Sequence, residues 1–354
     1  MCNFWRRKRV LHVWTLAILV LSGVTARSQD EDTKPVPILT GSTSYFTRVS
    51  SGQVQNAPVV SPLLLVPLGD KWLIEAKGNF SDTVVKSSQL GYADTLLYGL
   101  NYAQIDYIAN PFVTVSGGRF IVPFGIYGER LAPEWIRALQ SAPLSRAITS
   151  SSALGGMLRG GLPAGTKNIN INYALYFSTC NTNHLLANER TTGGRIGFFL
   201  PGPRLEIGAS FQQLLQGEHS HAAGLHAEWQ PNALPLTLRS EFVRTSGLKG
   251  SAYWIESVYR LNQVPHLRKF ELAGRAQQFY ANPNLTQAAA KQLGLPGTST
   301  NQGDFGLNYY LRNDVRASAS YGKQFAAAGN NANIWMIGIT YRFLVPLGPK
   351  GGAL

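Results

Sequence analysis

Several segments of the chain alternate apolar and polar residues with a period of two. In residues 204–212 every odd position is apolar and every even position is polar or glycine, as in Leu205, Glu206 and Ile207. The same alternation recurs in residues 168–177, 304–311, 314–321 and 334–343. A helix would repeat about every 3.6 residues, so the pattern predicts long strands with one apolar and one polar face. Alternation alone does not separate a soluble secreted β-sandwich from a barrel whose apolar face contacts lipid.

The predicted connections between strands alternate in length. Short turns that contain Pro, Gly, Asn or Asp are predicted at residues 66–70, 110–111, 162–167, 201–203, 231–232, 261–266 and 312–313. Longer loops are predicted at residues 50–56, 81–94, 121–153, 179–192, 215–220, 246–251, 280–302 and 324–331. This alternation is typical of outer-membrane barrels, whose periplasmic turns are short. Seven turns and eight loops predict an all-β, antiparallel transmembrane barrel of sixteen strands, with fourteen or eighteen strands as alternatives.

The first residues have the features of a secretory signal. Four consecutive cations at residues 6–9 precede an apolar stretch, and small residues surround Ala26. We therefore expect a signal peptide at residues 1–26 and a location in the bacterial outer membrane. The remaining chain is predicted to contain three parts, which are a short periplasmic lead at residues 27–39, the barrel at residues 40–343 and a tail at residues 344–354.

Composition narrows the classes of partner. Charged residues make up 14% of the 354 residues, against about 25% in typical domains. Removing the leader takes away four cations and no acid, so the net charge falls from +13 to +9. No basic recognition helix is present, so we expect no nucleic-acid partner. The expected partners are outer-membrane lipids, lipopolysaccharide phosphates and small hydrophilic or anionic solutes.

The longest predicted loop, residues 121–153, is the third of the eight. In water-filled barrels of this size a long loop often folds inward and sets the pore diameter. Residues 133–140 begin with a proline and predict a short helix, which Pro143 ends. The loop carries charges of both signs, which we expect at a pore constriction, namely Glu129, Arg130, Glu134, Arg137 and Arg146. The alternative is an exposed loop that packs on its neighbours.

The polar positions of the strands would form the channel wall. Six arginines are candidates there, with the first two flanking the constriction, namely Arg119, Arg159, Arg204, Arg239, Arg275 and Arg316. Cations on the wall would favour anions, and the basic balance of the mature chain predicts a weak anion preference. The alternative is that opposite charges on neighbouring strands pair with one another.

One region resembles a known family. Residues 117–130 read GGRFIVPFGIYGER, and they are followed by Pro133, Trp135, Ile136 and the sequence GMLRG at residues 156–160. This region resembles the strand and following loop of porins related to the phosphate-selective porins O and P. The resemblance implies a sixteen-stranded outer-membrane porin, a homotrimer, and an anion path lined by lysine and arginine. Residues 121–153 contain no lysine, so the solute, phosphate or a wider range, stays open.

Residue types that carry other chemistry are present without the usual spacing. Residues 218–221 read EHSH, with His226 and Glu228 downstream, but the spacing matches no usual metal motif, so we expect no metal or cofactor. No Gly-x-Ser-x-Gly turn occurs, and we expect no catalytic residues. The sequence therefore predicts a channel for passive diffusion of small hydrophilic solutes and not an enzyme. The alternatives are a barrel enzyme that hydrolyses lipids and a closed structural barrel that anchors the envelope.

Overall fold

The computed structural model describes residues 36–87, 91–131, 133–165, 169–180, 189–216, 219–329 and 331–348. The predicted signal peptide and most of the predicted lead and tail lie outside these residues.

Within the described residues, sixteen strands form one closed antiparallel barrel in which sequence neighbours pair and β1 pairs with β16. The first eight strands are β1 Ile38–Ser50, β2 Gln53–Leu68, β3 Trp72–Ser87, β4 Gly91–Asn110, β5 Val113–Ile121, β6 Ser152–Ala164, β7 Ile169–Ser178 and β8 Thr191–Leu200. The other eight are β9 Leu205–Leu214, β10 His221–Trp229, β11 Leu236–Thr245, β12 Ser251–Arg260, β13 Phe270–Tyr280, β14 Thr300–Tyr310, β15 Val315–Ala326 and β16 Ala332–Pro346. The predicted strand number is confirmed, and the soluble sandwich is wrong.

Helices occupy only short parts of the connections. The α-helices are α1 Tyr127–Arg130 and α2 Gln287–Leu293, and the 3-10 helices are η1 Leu144–Ala147 and η2 Pro265–Leu267. Helix α2 begins after Thr286, whose hydroxyl accepts a hydrogen bond from the Ala289 amide, and it ends at Gly294 with a left-handed φ of 67°. None of the helices in the described residues is long and apolar enough to cross a membrane.

The barrel carries apolar side chains outside and polar side chains inside, as the alternation predicts. On β9, Ile207 and Phe211 face outward with 51% and 46% of their surface exposed, whereas Glu206 and Gln212 are buried on the opposite face. On β16, Trp335, Ile337 and Ile339 are likewise exposed. An outer surface with this many large apolar side chains is unfavourable in water and suits lipid hydrocarbon. The side chains on the opposite face are called the inner wall below.

The connections agree with the predicted set, with two corrections. The predicted loop at residues 50–56 is a two-residue turn, because Ser51 and Gly52 adopt left-handed φ values of 50° and 74° that suit a tight hairpin. The predicted loop at residues 81–94 is mostly strand. Its polar residues Ser81 and Thr83 lie on the inner wall, so their polarity marks a strand face and not a loop.

The pairing also extends the predicted barrel at both ends. Ile38 pairs with Pro346, so β1 and β16 continue beyond residues 40–343. The Leu347 amide donates a hydrogen bond of 2.7 Å to the Pro37 carbonyl at the same seam. Strand β4 pairs with β3 from Gly91 onward but with β5 from Ala103 to Asn110.

Two adjacent glycines of β6 have opposite surroundings. Gly160 pairs with Tyr173, whose hydroxyl crosses over to donate a hydrogen bond of 3.0 Å to the Phe112 carbonyl. A Cβ atom at Gly160 would overlap the Phe112 carbonyl oxygen, whereas a Cβ atom at Gly161 would lie 3.7 Å from the Ile171 carbonyl oxygen, an ordinary contact. Position 160 therefore requires glycine, and position 161 does not.

We expect Gly160→Ala to destabilise the barrel by about 1–3 kcal/mol, because the strand and the Tyr173 ring must move to admit the methyl group. The matched control is Gly161→Ala, which should leave stability nearly unchanged. The measurement is the urea midpoint of tryptophan fluorescence for the detergent-folded variants. Equal midpoints for the two variants would contradict the close approach at Gly160.

Candidate functional site

The connection between β5 and β6, residues 122–151, is called the long connection here; its residue 132 is not described. It contains α1 and η1 and makes hydrogen bonds to inner-wall side chains far away in sequence. These wall residues are Arg195, Glu206, Ser210, Gln212, Glu228, Glu241, Arg275, Gln277, Asn308, Arg316 and Ser42. The long connection therefore packs against a wide arc of the inner wall.

Glu241 of β11 holds the first turn of the long connection. Its Oε2 accepts hydrogen bonds from the amides of Ile126, at 2.9 Å, and Tyr127, at 3.3 Å. The neighbouring Gly125 amide donates to the Ser210 hydroxyl at 3.0 Å. Gly125 has a left-handed φ of 62°, and a Cβ atom there would overlap the Glu241 carboxylate. Glycine is needed at this position because both the backbone angle and the close carboxylate exclude a side chain.

Arg130 joins the long connection to a row of ion pairs on the wall. Its guanidinium lies 2.6 Å from Glu206 and 3.4 Å from Glu228. The row continues with separations of 3.7 Å for Glu228 with Arg239, 3.4 Å for Arg239 with Glu256, 3.8 Å for Glu256 with Arg275 and 3.0 Å for Arg275 with Asp304. These residues, from Arg130 to Asp304, are called the ion-pair chain. It spans β9 to β14. The wall charges in this region therefore follow the alternative prediction, in which opposite charges on neighbouring strands pair with one another.

Two other charged residues of the long connection, Glu129 and Arg146, have surroundings outside this row. Glu129 forms an ion pair with Arg195, which also donates to the Gly125 carbonyl at 3.1 Å. Burial lowers the pKa of Arg146, and the positive charge of Arg137 acts in the same direction. Burial also disfavours the charge of Arg130, but the hydrogen bonds and charges of Glu206 and Glu228 outweigh it and raise the pKa of Arg130.

The predicted helix at residues 133–140 is wrong. These residues form turns and bends, and Arg316 competes for the Glu134 carbonyl, which a helix would pair with the Ala138 amide. Arg316 donates to the Glu134 carbonyl at 2.8 Å, and Asn308 donates to the Ala138 carbonyl at 2.9 Å. Within the segment, Arg137 donates to the Leu131 carbonyl at 2.8 Å and pairs with the Glu134 carboxylate at 3.3 Å.

Aromatic and cationic side chains stack where this segment meets β12, β14 and β15. The Trp135 ring lies 6.3 Å from the Tyr310 ring in an edge-on arrangement. The Arg316 guanidinium lies 5.5 Å from the Trp135 ring, and the Arg260 guanidinium lies 4.4 Å from the Tyr310 ring. Such contacts stabilise a cation without requiring an acid.

An apolar cluster joins the long connection to the connection between β13 and β14. Phe124 and Ile148 of the long connection belong to the same buried cluster as Leu285, Ala290 and Leu295, which lie in or beside α2. Inward-facing residues of the strands complete the cluster, among them Phe120, Ala222, Val243 and Phe279. Part of the interior beside β10 to β13 is therefore filled by packed apolar side chains.

A cavity of about 460 Å³ lies on the other side of the segment 134–140. Glu134, Arg137 and Gln140 line it from the long connection. The strands contribute Arg48 and otherwise mostly hydroxyl, amide and small apolar side chains. These uncharged lining residues are Phe46, Gln55, Ala57, Val59, Asn79, Ser81, Thr83, Leu97, Tyr98, Gly99, Asn101 and Met336. This cavity combines neutral hydrogen-bonding groups with few charges.

The six predicted wall arginines do not lie together. Arg239, Arg275 and Arg316 are on the inner wall and contact the groups described above. Arg159 is also inward and pairs with Asp106 at 2.7 Å.

Arg119 and Arg204 depart from the prediction. Arg119 shares its strand face with Val115, which is exposed, while Ser116 and Phe120 on the other face are buried, so Arg119 faces outward. Its Nε donates to the Leu100 carbonyl at 3.1 Å, beyond the part of β4 that pairs with β5. Arg204 lies in the turn between β8 and β9 and donates to Gln230 at 2.8 Å.

Sequence reasoning missed Arg195, which pairs with Glu129. The glycines at positions 193, 194 and 197 obscure the alternation of apolar and polar residues in β8. The outward residues Ile196 and Phe198 could still have indicated that Arg195 lies on the inward face. The segment at residues 218–221, for which no metal site is expected, lies partly outside the described residues. Among described residues, no group of three His, Cys, Asp or Glu side chains is arranged to hold a metal ion.

Comparison with known proteins supports the fold. No protein-family model matches the chain, and no curated protein matches its sequence. A solved structure of OmpT with loop L8 deleted, an outer membrane protein of Vibrio cholerae, matches with a TM-score of 0.55 and 9% identity over 87% of this chain and 100% of that chain. The anion-selective porin from Comamonas acidovorans matches with a TM-score of 0.52 and 12% identity over 87% of this chain and 99% of that chain. A mutant of Rh. blastica porin matches with a TM-score of 0.54 and 11% identity over 86% of this chain and 100% of that chain. At these identities the likeness shows a common barrel fold, and the resemblance to porins O and P stays a prediction.

We expect Glu241→Ala to loosen the long connection, because two buried amides lose their acceptor at a cost of about 2 kcal/mol. Trypsin should then cut after Arg130, Arg137 or Arg146 at least about tenfold faster than in the unmodified protein. Cleavage is followed by mass spectrometry of the folded protein. Glu241→Gln is the matched control, since its amide oxygen still accepts hydrogen bonds and its cutting should be slower. Equal resistance of the alanine variant and the unmodified protein would contradict this role of Glu241.

Proposed function

We propose that this chain is an outer-membrane porin that forms a water-filled channel for passive diffusion of small hydrophilic solutes, with a weak preference for anions. The observation that carries the proposal is the closed sixteen-stranded barrel with an apolar outer surface and a polar inner wall. Strands can cross hydrocarbon only when every edge is paired, and closure pairs β1 with β16. The similarity in fold to porins of known structure supports the same conclusion.

The long connection is the constriction in this proposal, folded inward from the end of the barrel opposite the short turns. Its hydrogen bonds to inner-wall side chains support this role, as does the cavity lined by Glu134, Arg137 and Gln140. The solute path then runs through that cavity, along β1 to β4 and β16. Selection follows from the width of the path and the field of the charges that face it.

The weak anion preference rests on the charges beside the cavity. Arg48 and Arg137 face it together with one carboxylate, Glu134. Two of the other predicted constriction residues act through the fold, because Arg130 is held by Glu206 and Glu228 and Glu129 is held by Arg195. Arg146 does not line the cavity. One protein of similar fold, from Comamonas acidovorans, is named an anion-selective porin, which agrees with the proposal.

The remaining parts of the proposal concern the surroundings of the barrel. Lipopolysaccharide and membrane lipids contact the apolar outer surface and the cations near the loops. A homotrimer is the proposed assembly, as the resemblance to porins O and P implies. The short turns face the periplasm, and the leader at residues 1–26 directs export.

Recording from the purified protein in planar bilayers tests the proposal. We expect stepwise openings and a reversal potential shifted toward chloride in a potassium chloride gradient. Arg137→Ser should move the reversal potential toward potassium, because the cavity loses a cation beside a remaining carboxylate. Arg119→Ser is the matched control, and it should leave the reversal potential unchanged because Arg119 faces outward.

Two results would contradict the proposal. A folded protein that never conducts would favour a closed structural barrel or a barrel enzyme, and hydrolysis of lipid substrates would then decide between the two. An effect of Arg119→Ser equal to that of Arg137→Ser would remove the cavity from the solute path.

A further inference from the structure

Lys77 is an exception among the buried charged side chains. It is 5% exposed and lies on the same inner-wall face of β3 as Asn79, Ser81 and Thr83. Histidine aside, every other buried acidic or basic side chain of the described residues has a hydrogen bond to another described group. Within that same part of the chain, no hydrogen bond or ion pair joins Lys77 to a neighbour. An ionisable group inside a membrane protein usually marks a solute path.

Neither of the two acids near Lys77 forms an ion pair with it in the described residues. The charges that act on Lys77 are those of Glu134, which attracts it, and Arg137, which repels it. The Glu134 carboxylate already pairs with Arg137 at 3.3 Å and accepts from the Ser42 hydroxyl at 3.4 Å. Glu75, two residues before Lys77, is repelled by the charge of Asp106 and attracted by that of Arg159, and no ion pair joins it to Lys77 in the described residues. Across the strands Lys77 faces Leu63 and Tyr102, neither of which carries a negative charge.

Lys77 lies one inward position from the cavity in the direction of the short turns. Asn79, Ser81 and Thr83 continue the same face into the cavity, and Gln55 and Asn101 add amide groups from β2 and β4. The long, flexible side chain of a lysine presents three donors at a point charge. A cation without a partner among the described residues thus lies beside one end of the cavity, and the cavity wall offers neutral groups that both donate and accept hydrogen bonds.

We propose that the cavity and Lys77 form a binding site for small hydroxylated carboxylates on the solute path. The carboxylate binds the Lys77 ammonium, and the hydroxyl groups exchange their hydrogen bonds with water for hydrogen bonds to Asn79, Ser81 and Gln55. The cavity volume of about 460 Å³ falls within the range of small-molecule sites. This inference rests on the proposed channel function, and it names a solute class for it.

Gluconate is the probe, and its block of the chloride current in planar bilayers is the measurement. Gluconate should reduce the current at a concentration about tenfold lower than either glucose, which lacks the charge, or acetate, which lacks the hydroxyl groups. Lys77→Gln should raise the half-blocking concentration of gluconate about tenfold, and Lys77→Arg should restore it. The control is Lys323→Gln, which removes the same charge from the outer face of β15 and should leave the block unchanged.

The outcomes separate this inference from the channel proposal. A protein that folds without conducting refutes the channel proposal itself. A conducting protein in which gluconate blocks no better than glucose and acetate overturns the inference and leaves the channel. An unchanged block in Lys77→Gln, or a block in Lys77→Arg as weak as in Lys77→Gln, also overturns it. If Lys77→Gln does not fold, the comparison of the three solutes on the unmodified protein still decides.

Discussion

A side chain that is shielded from bulk water stays charged where opposite charges face it, or where a carboxylate meets several hydrogen-bond donors and a guanidinium meets several acceptors. The ion-pair chain meets this requirement along β9 to β14, and Arg130 of the long connection is its first member. The wall carboxylates therefore hold Arg130 of the long connection in place, and Arg130 neutralises the wall carboxylates that it contacts. Removing a single member would take one partner from each shielded neighbour in the row, which is more costly than never having the pair. The position of the long connection follows from this mutual dependence.

The same dependence makes the interior asymmetric. Beside β10 to β13, ion pairs and the apolar cluster with α2 fill the space, whereas the cavity next to β1 to β4 is lined mainly by neutral polar groups. A charge that is fully paired contributes little to the field felt by a passing ion, because the two partners cancel at a distance. In the proposed channel, the paired arginines of the inner wall thus determine the shape of the pore. The few cations beside the cavity, on the opposite side, determine its ion selectivity.

The strand number and the alternation of short turns with loops could be predicted from the sequence, because both depend on neighbouring residues. Side-chain direction was less secure. Arg119 follows two glycines, which carry no apolar signal to mark the faces of β5, and its outward direction emerges only from the burial of Ser116 and Phe120 on the opposite face. The helix predicted at residues 133–140 was wrong because Arg316, which lies 182 positions away in sequence, competes for the Glu134 carbonyl. Which charges pair depends on the register between neighbouring strands, as the row from Glu206 to Asp304 illustrates. That register cannot be read from a single sequence.

The seam between β1 and β16 has a consequence for how the barrel assembles. Ile38 and Pro346 meet there, so the pairing that closes the cylinder joins segments separated by almost the whole chain. Contacts between residues so far apart in sequence form late, because the chain must lose much conformational entropy before the hydrogen bonds and packing of the contact can compensate for it. Until they form, both terminal strands present open hydrogen-bonding edges together with apolar faces, a combination that invites pairing with other chains. During its biogenesis the polypeptide therefore depends on being kept apart from its own copies until the last strand docks against the first.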